Sequence, residues 1–158
     1  MRVLVIASRT TPITSTQLER LTAIEELRAL KARFCRLADA KRWAEFGRLF
    51  TSTAQARFYG ADGRLTFLAD SPDIGTVIGG RVGAARTVHH TFGHELTIVS
   101  ATRAEGLWGM EDIVVDDGAG VPFRRVHGFG HYHETYERHD GRWLIRSLEL
   151  TRVHVELT

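Results

Sequence analysis

The sequence predicts an α+β domain in which an antiparallel sheet packs one face against helices, and three observations carry that prediction. Between Leu18 and Phe50 the apolar side chains recur at three- and four-residue intervals, the period of a helix lying on a core. From Ala56 onward the period falls to two, the period of a half-buried strand. The period-two runs are joined by short turns rich in glycine and aspartate. The later runs are long, and a strongly bent sheet of long strands folded around helices makes a cone with a pocket.

At 158 residues the chain is sized for one domain, taken here as residues 16–158 behind an arm over residues 1–15. Hydrophobic residues at 43% and charged residues at 25% are those of a globular chain able to bury a core. Val3–Ala7 is too short to span a bilayer, which needs about 20 apolar residues, and its polar sequel does not read as a signal peptide. No membrane partner is expected. The lone cysteine, Cys35, excludes an internal disulfide and makes a reducing cytoplasm the expected compartment. Twenty-one Lys and Arg against nineteen Asp and Glu leave +2, too little for an electrostatic footprint on nucleic acid.

Thr16-Gln17-Leu18-Glu19 has the form of a capping box and predicts a helix start. Leu18, Leu21, Ile24, Leu27, Leu30 and Phe34 make its apolar stripe; Glu19, Arg20, Lys31 and Arg33 fall on the charged back, and the helix runs to about Ala38. Trp43, Phe46, Leu49 and Phe50 form a second, shorter helical pattern. Ala56–Tyr59 and Leu65–Leu68 flank Gly60-Ala61-Asp62-Gly63 as a hairpin. Ser71–Gly80 reads as turn, with a short helix over Arg81–Arg86. Strands are then expected over His89–Ala101, Glu105–Val115, Phe123–Arg138 and Trp143–Leu157, with turns at Asp116–Gly120 and Asp140-Gly141.

Eight histidines stand out. His127, His131 and His133 share one strand face, a spacing that could hold a metal or merely flank a strand or a subunit contact. Gly128-Phe129-Gly130 lacks the third glycine and the helix of a dinucleotide fingerprint. Cys35 reads as a packed thiol, and no nucleophile elbow exists. Asp39 closes the first helix beside Phe34, Trp43 and Phe46, either as a cap or as a pocket carboxylate that orients a histidine base. His89 and His90 point to opposite faces of the first long strand. Asp112 shares a face with Trp108 and Met110, and Arg152 shares one with Leu148, Leu150 and His154. Charges on apolar faces are costly unless paired or used. On the outer face Phe129, Ile145 and Val153 need cover, so self-association as a dimer, trimer or tetramer is expected.

The segments RFCRLADAKRWAEFGRLF, TVHH, GLWGMEDIVV and GFGHYHETYERHDGRWLIRSLELTRVHVE, in this order, resemble the SnoaL-like branch of the nuclear transport factor 2-like superfamily over residues 17–157. The resemblance implies a cone-shaped α+β barrel, a strongly curved mixed or antiparallel sheet wrapped around N-terminal helices, with a deep apolar pocket. It extends to the scytalone dehydratase, bile acid 7α-dehydratase and lindane dehydrochlorinase branches, which abstract a proton without a cofactor. By motif position it implies His89 as base and Asp39 as its partner, with Asp112 returning a proton or meeting the leaving group. Arg152 or Tyr59 would stabilise an enolate oxygen. The helix tyrosine of the dehydratases falls on Phe34 or Ala38, a departure that bears on dehydration specifically. Tyr59, Phe34, Trp43, Trp108 and Met110 are the expected substrate contacts. The implied activity is that of a cofactor-independent lyase or isomerase acting on a small hydrophobic cyclic compound of steroid, polyketide or terpenoid type. A non-catalytic binding or association module and a His-rich metal protein are the alternatives.

Overall fold

The computed structural model describes residues 14–116, 118 and 125–158. Of the expected arm only Thr14 and Ser15 fall within that range, and most of the Asp116–Gly120 turn lies outside it. Helix α1 spans Ser15–Asp39. Its capping box is built on Thr14 and Gln17 instead of Thr16 and Glu19: the Gln17 N–H donates to Thr14 Oγ1 at 3.2 Å, and the Gln17 side chain accepts from the Thr14 N–H at 2.9 Å. The two overlapping threonine patterns differ by half a turn, and the earlier one lengthens the helix. Leu27, Leu30 and Phe34 are buried as the stripe requires, whereas Leu18 and Leu21 stand exposed.

A short helix, α2 (Trp43–Gly47), leads into strands β1 (Phe50–Tyr59) and β2 (Leu65–Asp70). Helix α3 covers Ile74–Val82, mostly within the stretch read as turn and reaching only Arg81 and Val82 of the segment expected to be helical. Its glycines are close-approach positions: a Cβ on Gly79 would lie 2.7 Å from the Trp43 ring, and one on Gly75 would strike the Trp43 carbonyl. Strands β3 (Arg86–Ser100), β4 (Arg103–Val115), β5 (Arg125–His139) and β6 (Arg142–Leu157) follow. The tight β5–β6 turn takes Asp140 and Gly141 at φ 48° and 77°, the left-handed pair a two-residue hairpin favours.

The six strands form one mixed sheet in the order β2-β1-β6-β5-β4-β3, parallel between β1 and β6 and antiparallel elsewhere. It is curved and does not close, leaving β2 and β3 as edges. The inner face buries Ala104, Met110, Tyr132, Tyr136, Ile145, Leu148 and Leu150 beneath α1. Two irregularities re-phase β6. One skips Arg146, so Ile145 is 0% exposed and belongs to the core, not the outer face. The other skips Val153, so His154 pairs with Phe129 and stacks on its ring, facing away from Arg152. Val153, as expected, is exposed. Among the described residues no helix is long and apolar enough to cross a membrane.

Candidate active site

Asp39 is the last residue of α1, and the chain turns away through Lys41, held at φ 57°. The Asp39 carboxylate lies against the first turn of β3. Oδ1 is 2.6 Å from His89 Nδ1, and Oδ2 accepts the His89 backbone N–H at 3.0 Å. Thr87 Oγ1 lies 2.9 Å from Asp39 Oδ1 and accepts from Lys41 Nζ at 2.7 Å. An ammonium only donates, so the Thr87 hydroxyl must point its own hydrogen at Asp39. The carboxylate therefore acts as acceptor throughout, which assigns the proton of the neutral His89 ring to Nδ1 and leaves Nε2 with its lone pair. Burial pushes the Asp39 carboxyl up, but the His89 side-chain and backbone donors and Thr87 outweigh it and hold the group below its ordinary value.

Directly across the ladder from His89 stands Asp112, and across from Asp112 stands Gly128. Arg152 reaches over from β6 and grips Asp112 with both forks, each at 2.6 Å. Burial alone would lower the guanidinium's affinity for its proton; the Asp112 carboxylate more than reverses this. The crossing requires Gly128, because a Cβ there would collide with Arg152 Nη1 and lie 2.6 Å from Asp112 Oδ1. Both pairs are partly enclosed, the second more fully: side-chain exposure is 15% for His89 and 27% for Asp39, 15% for Arg152 and 6% for Asp112.

The expected substrate contacts divide. Met110 is fully buried, with Sδ 3.7 Å from Arg152 Nη1, and Phe34 is buried against Phe46, Phe50 and Tyr132. Trp43 packs on Gly79 and Phe46, joining α2 to α3. Trp108 donates to Tyr136 Oη at 2.8 Å and lies beside His94. Tyr59 ends β1 next to the β1–β2 hairpin and has no described contact with either charged pair. Cys35 is buried near Thr91, and burial pushes its thiol up, as suits a packed cysteine. His127 pairs with Glu111 at 2.7 Å, and His133 with Thr151 at 3.0 Å. Among the described residues no group of three His, Cys, Asp or Glu is arranged to hold a metal.

A cavity of about 360 Å³ opens between α1 and the edge strand β3, lined by Arg28, Ala32, Thr91, Phe92 and Trp108. Thr91 is the next inward position of β3 after His89. Another, of about 390 Å³, lies along Glu95, Glu105, His133 and Glu149.

Sequence reasoning missed one buried polar group. Lys31, expected on the solvated back of α1, is 1% exposed and pairs with Glu134 at 2.6 Å. Glu134 also accepts from the Tyr136 hydroxyl. The ammonium stands 3.5 Å above the Tyr132 ring centroid and 4.1 Å above that of Phe34. The signal was present in β5, where Gly128, Gly130, Tyr132, Glu134 and Tyr136 alternate on one face.

Known proteins share this architecture. A structure assigned as a scytalone dehydratase from Novosphingobium aromaticivorans superposes with a TM-score of 0.76 at 18% identity, over 87% of this chain and 89% of its own. A type 2 hexachlorocyclohexane dehydrochlorinase gives 0.75 at 16% identity, over 89% and 92%. These likenesses establish the nuclear transport factor 2-like fold. The Gibberella zeae protein named "Probable cyclase FGR4" is 24% identical over 136 residues, 80% of this chain and 89% of that protein. The SnoaL-like domain model matches residues 19–149, most of the chain, and the protein therefore belongs to the SnoaL-like family.

Proposed function

We propose that this protein is a cofactor-independent lyase or isomerase that removes a proton from carbon beside a carbonyl on a small hydrophobic cyclic substrate. The observation that carries the reading is the Asp39–His89 pair, in which the Thr87 hydroxyl and the His89 backbone N–H leave the Asp39 carboxylate an acceptor facing His89 Nδ1. Nε2 of such a ring is a general base, and Asp39 stabilises the imidazolium formed as the proton arrives. The C–H electron pair moves toward the carbonyl, generating an enolate. Returning the proton to another carbon isomerises the substrate; expelling a β-substituent completes an elimination. Asp112, clamped by Arg152 in the same ladder row, supplies a fixed polar patch for the leaving group or a ring hydroxyl. Partial enclosure of both pairs favours such chemistry, because charge development away from bulk water is stabilised more strongly by fixed dipoles. The dehydratase, dehydrochlorinase and cyclase names among the relatives lend support from the family side.

The test is deuterium incorporation from D₂O, or elimination, across a panel of steroid, bicyclic ketone and polyketide-like compounds. Turnover by the unsubstituted chain that falls steeply in His89→Ala and Asp39→Asn supports the reading. Turnover unchanged in both variants sinks it. A pocket that only binds a hydrophobic compound would show ligand-dependent stabilisation that survives His89→Ala, with no exchange at all.

A further inference from the structure

Two tyrosines stand on the inner face of β5, and their hydroxyls are treated differently. Tyr136 Oη accepts from Trp108 Nε1 and donates to Glu134, so both its capacities are used. Tyr132 is equally buried, at 2% exposed, and its ring is fixed edge-on to Phe34, with centroids 5.7 Å apart, and beneath the Lys31 ammonium. Yet no described group donates to or accepts from its hydroxyl. Nor is that oxygen among the enclosed unpaired atoms, Thr51 Oγ1 and Trp143 Nε1, so it keeps open space beside it.

The next two inward positions toward Asp112 and Arg152 are Gly130 and Gly128, which interpose no side chain. Burial and the Asp112 charge hold the Tyr132 hydroxyl well above its ordinary value, so it is a protonated donor at any working pH. The other donors considered for a substrate oxygen are otherwise engaged or elsewhere: Arg152 has its fork on Asp112, and Tyr59 lies by the β1–β2 hairpin.

We infer that the Tyr132 hydroxyl donates a hydrogen bond to the substrate carbonyl oxygen, the atom that becomes the enolate when His89 takes the proton. This assignment rests on the proton-abstraction reading above. In the step, the proton passes from carbon to His89 Nε2 and the C–H electron pair becomes the enolate π bond, with charge on oxygen. Tyr132 keeps its own proton and shortens its hydrogen bond to that oxygen.

The test uses 2-naphthol, whose hydroxyl imitates an enolate oxygen on a flat apolar ring, and naphthalene as the same ring without oxygen. The unsubstituted chain is expected to bind 2-naphthol more tightly than naphthalene. Tyr132→Phe should weaken 2-naphthol about tenfold, leave naphthalene unchanged, and lower kcat for exchange about 10²-fold. Because the hydroxyl serves no protein group, Tyr132→Phe should also melt no lower than the parent. Equal 2-naphthol affinity in the two chains, a parent with no preference for 2-naphthol, or a lower melting temperature in Tyr132→Phe each overturn the inference. His89→Ala separates the two claims. It should abolish exchange yet still bind 2-naphthol; exchange that survives His89→Ala, beside a tenfold loss of 2-naphthol in Tyr132→Phe, defeats the base and spares the donor.

Discussion

Two polar groups share the inner face of one sheet, and they differ in how completely they are satisfied. Toward the β5–β6 turn, Lys31, Glu134, Tyr136 and Trp108 form a closed set: the ammonium meets a carboxylate and two rings, the carboxylate takes a second donor, and the phenol is used on both sides. Side-chain exposure there is 1% for Lys31 and 0% for Glu134. Toward the opposite end, Asp39 is saturated by three donors but His89 Nε2 has no described partner. Tyr132, between the two, keeps an unused hydroxyl. A buried polar group with every valence met can only hold the fold, whereas one aimed at open space costs stability and is retained where something else completes it. On this distinction the first group is a strut, and the second is where the proposed chemistry would take place.

Substitutions at the two ends should therefore fail in different ways. The largest expected effect is His89→Ala, which should lower exchange by about 10²–10⁴-fold while the urea midpoint moves little. A variant that unfolds instead would show that this end also carries the fold. Lys31→Met should do the reverse, leaving Glu134 buried without a counter-charge and costing about 3–5 kcal/mol of unfolding free energy; Lys31→Met combined with Glu134→Leu should recover most of it. A smaller loss, about 1–3 kcal/mol, is expected for Tyr136→Phe, which strands Trp108 Nε1 and one Glu134 oxygen. Tyr132→Phe, four residues away, should cost nothing, and calorimetry of the two phenylalanine variants side by side checks that contrast. The smallest effect is in the acid limb. The Asp39 carboxyl is held below its ordinary value near 3.8. Its contribution is therefore complete above that value and is lost only as pH falls through the lower folded value. The part of the stability that Asp39 supplies by being ionised should therefore persist down to about pH 3.8 and be lost below it, read as the closing of the gap between the parent and Asp39→Asn.

The fold was legible where periodicity speaks alone. The α1 stripe, the β1–β2 hairpin and the long strands all follow from spacing, and the Asp140-Gly141 turn from its residue types. Helix α3 was hidden because Gly75 and Gly79 read as turn signals, although their role is to admit Trp43. Period-two counting failed on β6 because two irregularities shift the phase, moving Ile145 inward and His154 outward. Lys31 was misread because helical spacing gives a direction but not a partner; its counter-charge lies 103 residues away, on β5. The Asp39–His89 pairing is implied by the family resemblance alone, since no spacing rule joins a helix end to a strand start 50 residues later. Thr87 and Lys41, which brace the Asp39 carboxylate, had no local pattern to reveal them.

The proposed base is the neutral His89 ring with its proton on Nδ1, facing Asp39, and an unprotonated Nε2. Nitrogen NMR of histidine-labelled protein at neutral pH, with His89 assigned by the signals lost in His89→Ala, reads this directly and needs no substrate. The expected pattern is a protonated Nδ1 hydrogen-bonded to Asp39, a bare Nε2, and loss of both features in Asp39→Asn. A neutral His89 ring with its proton on Nε2 instead would overturn the assignment.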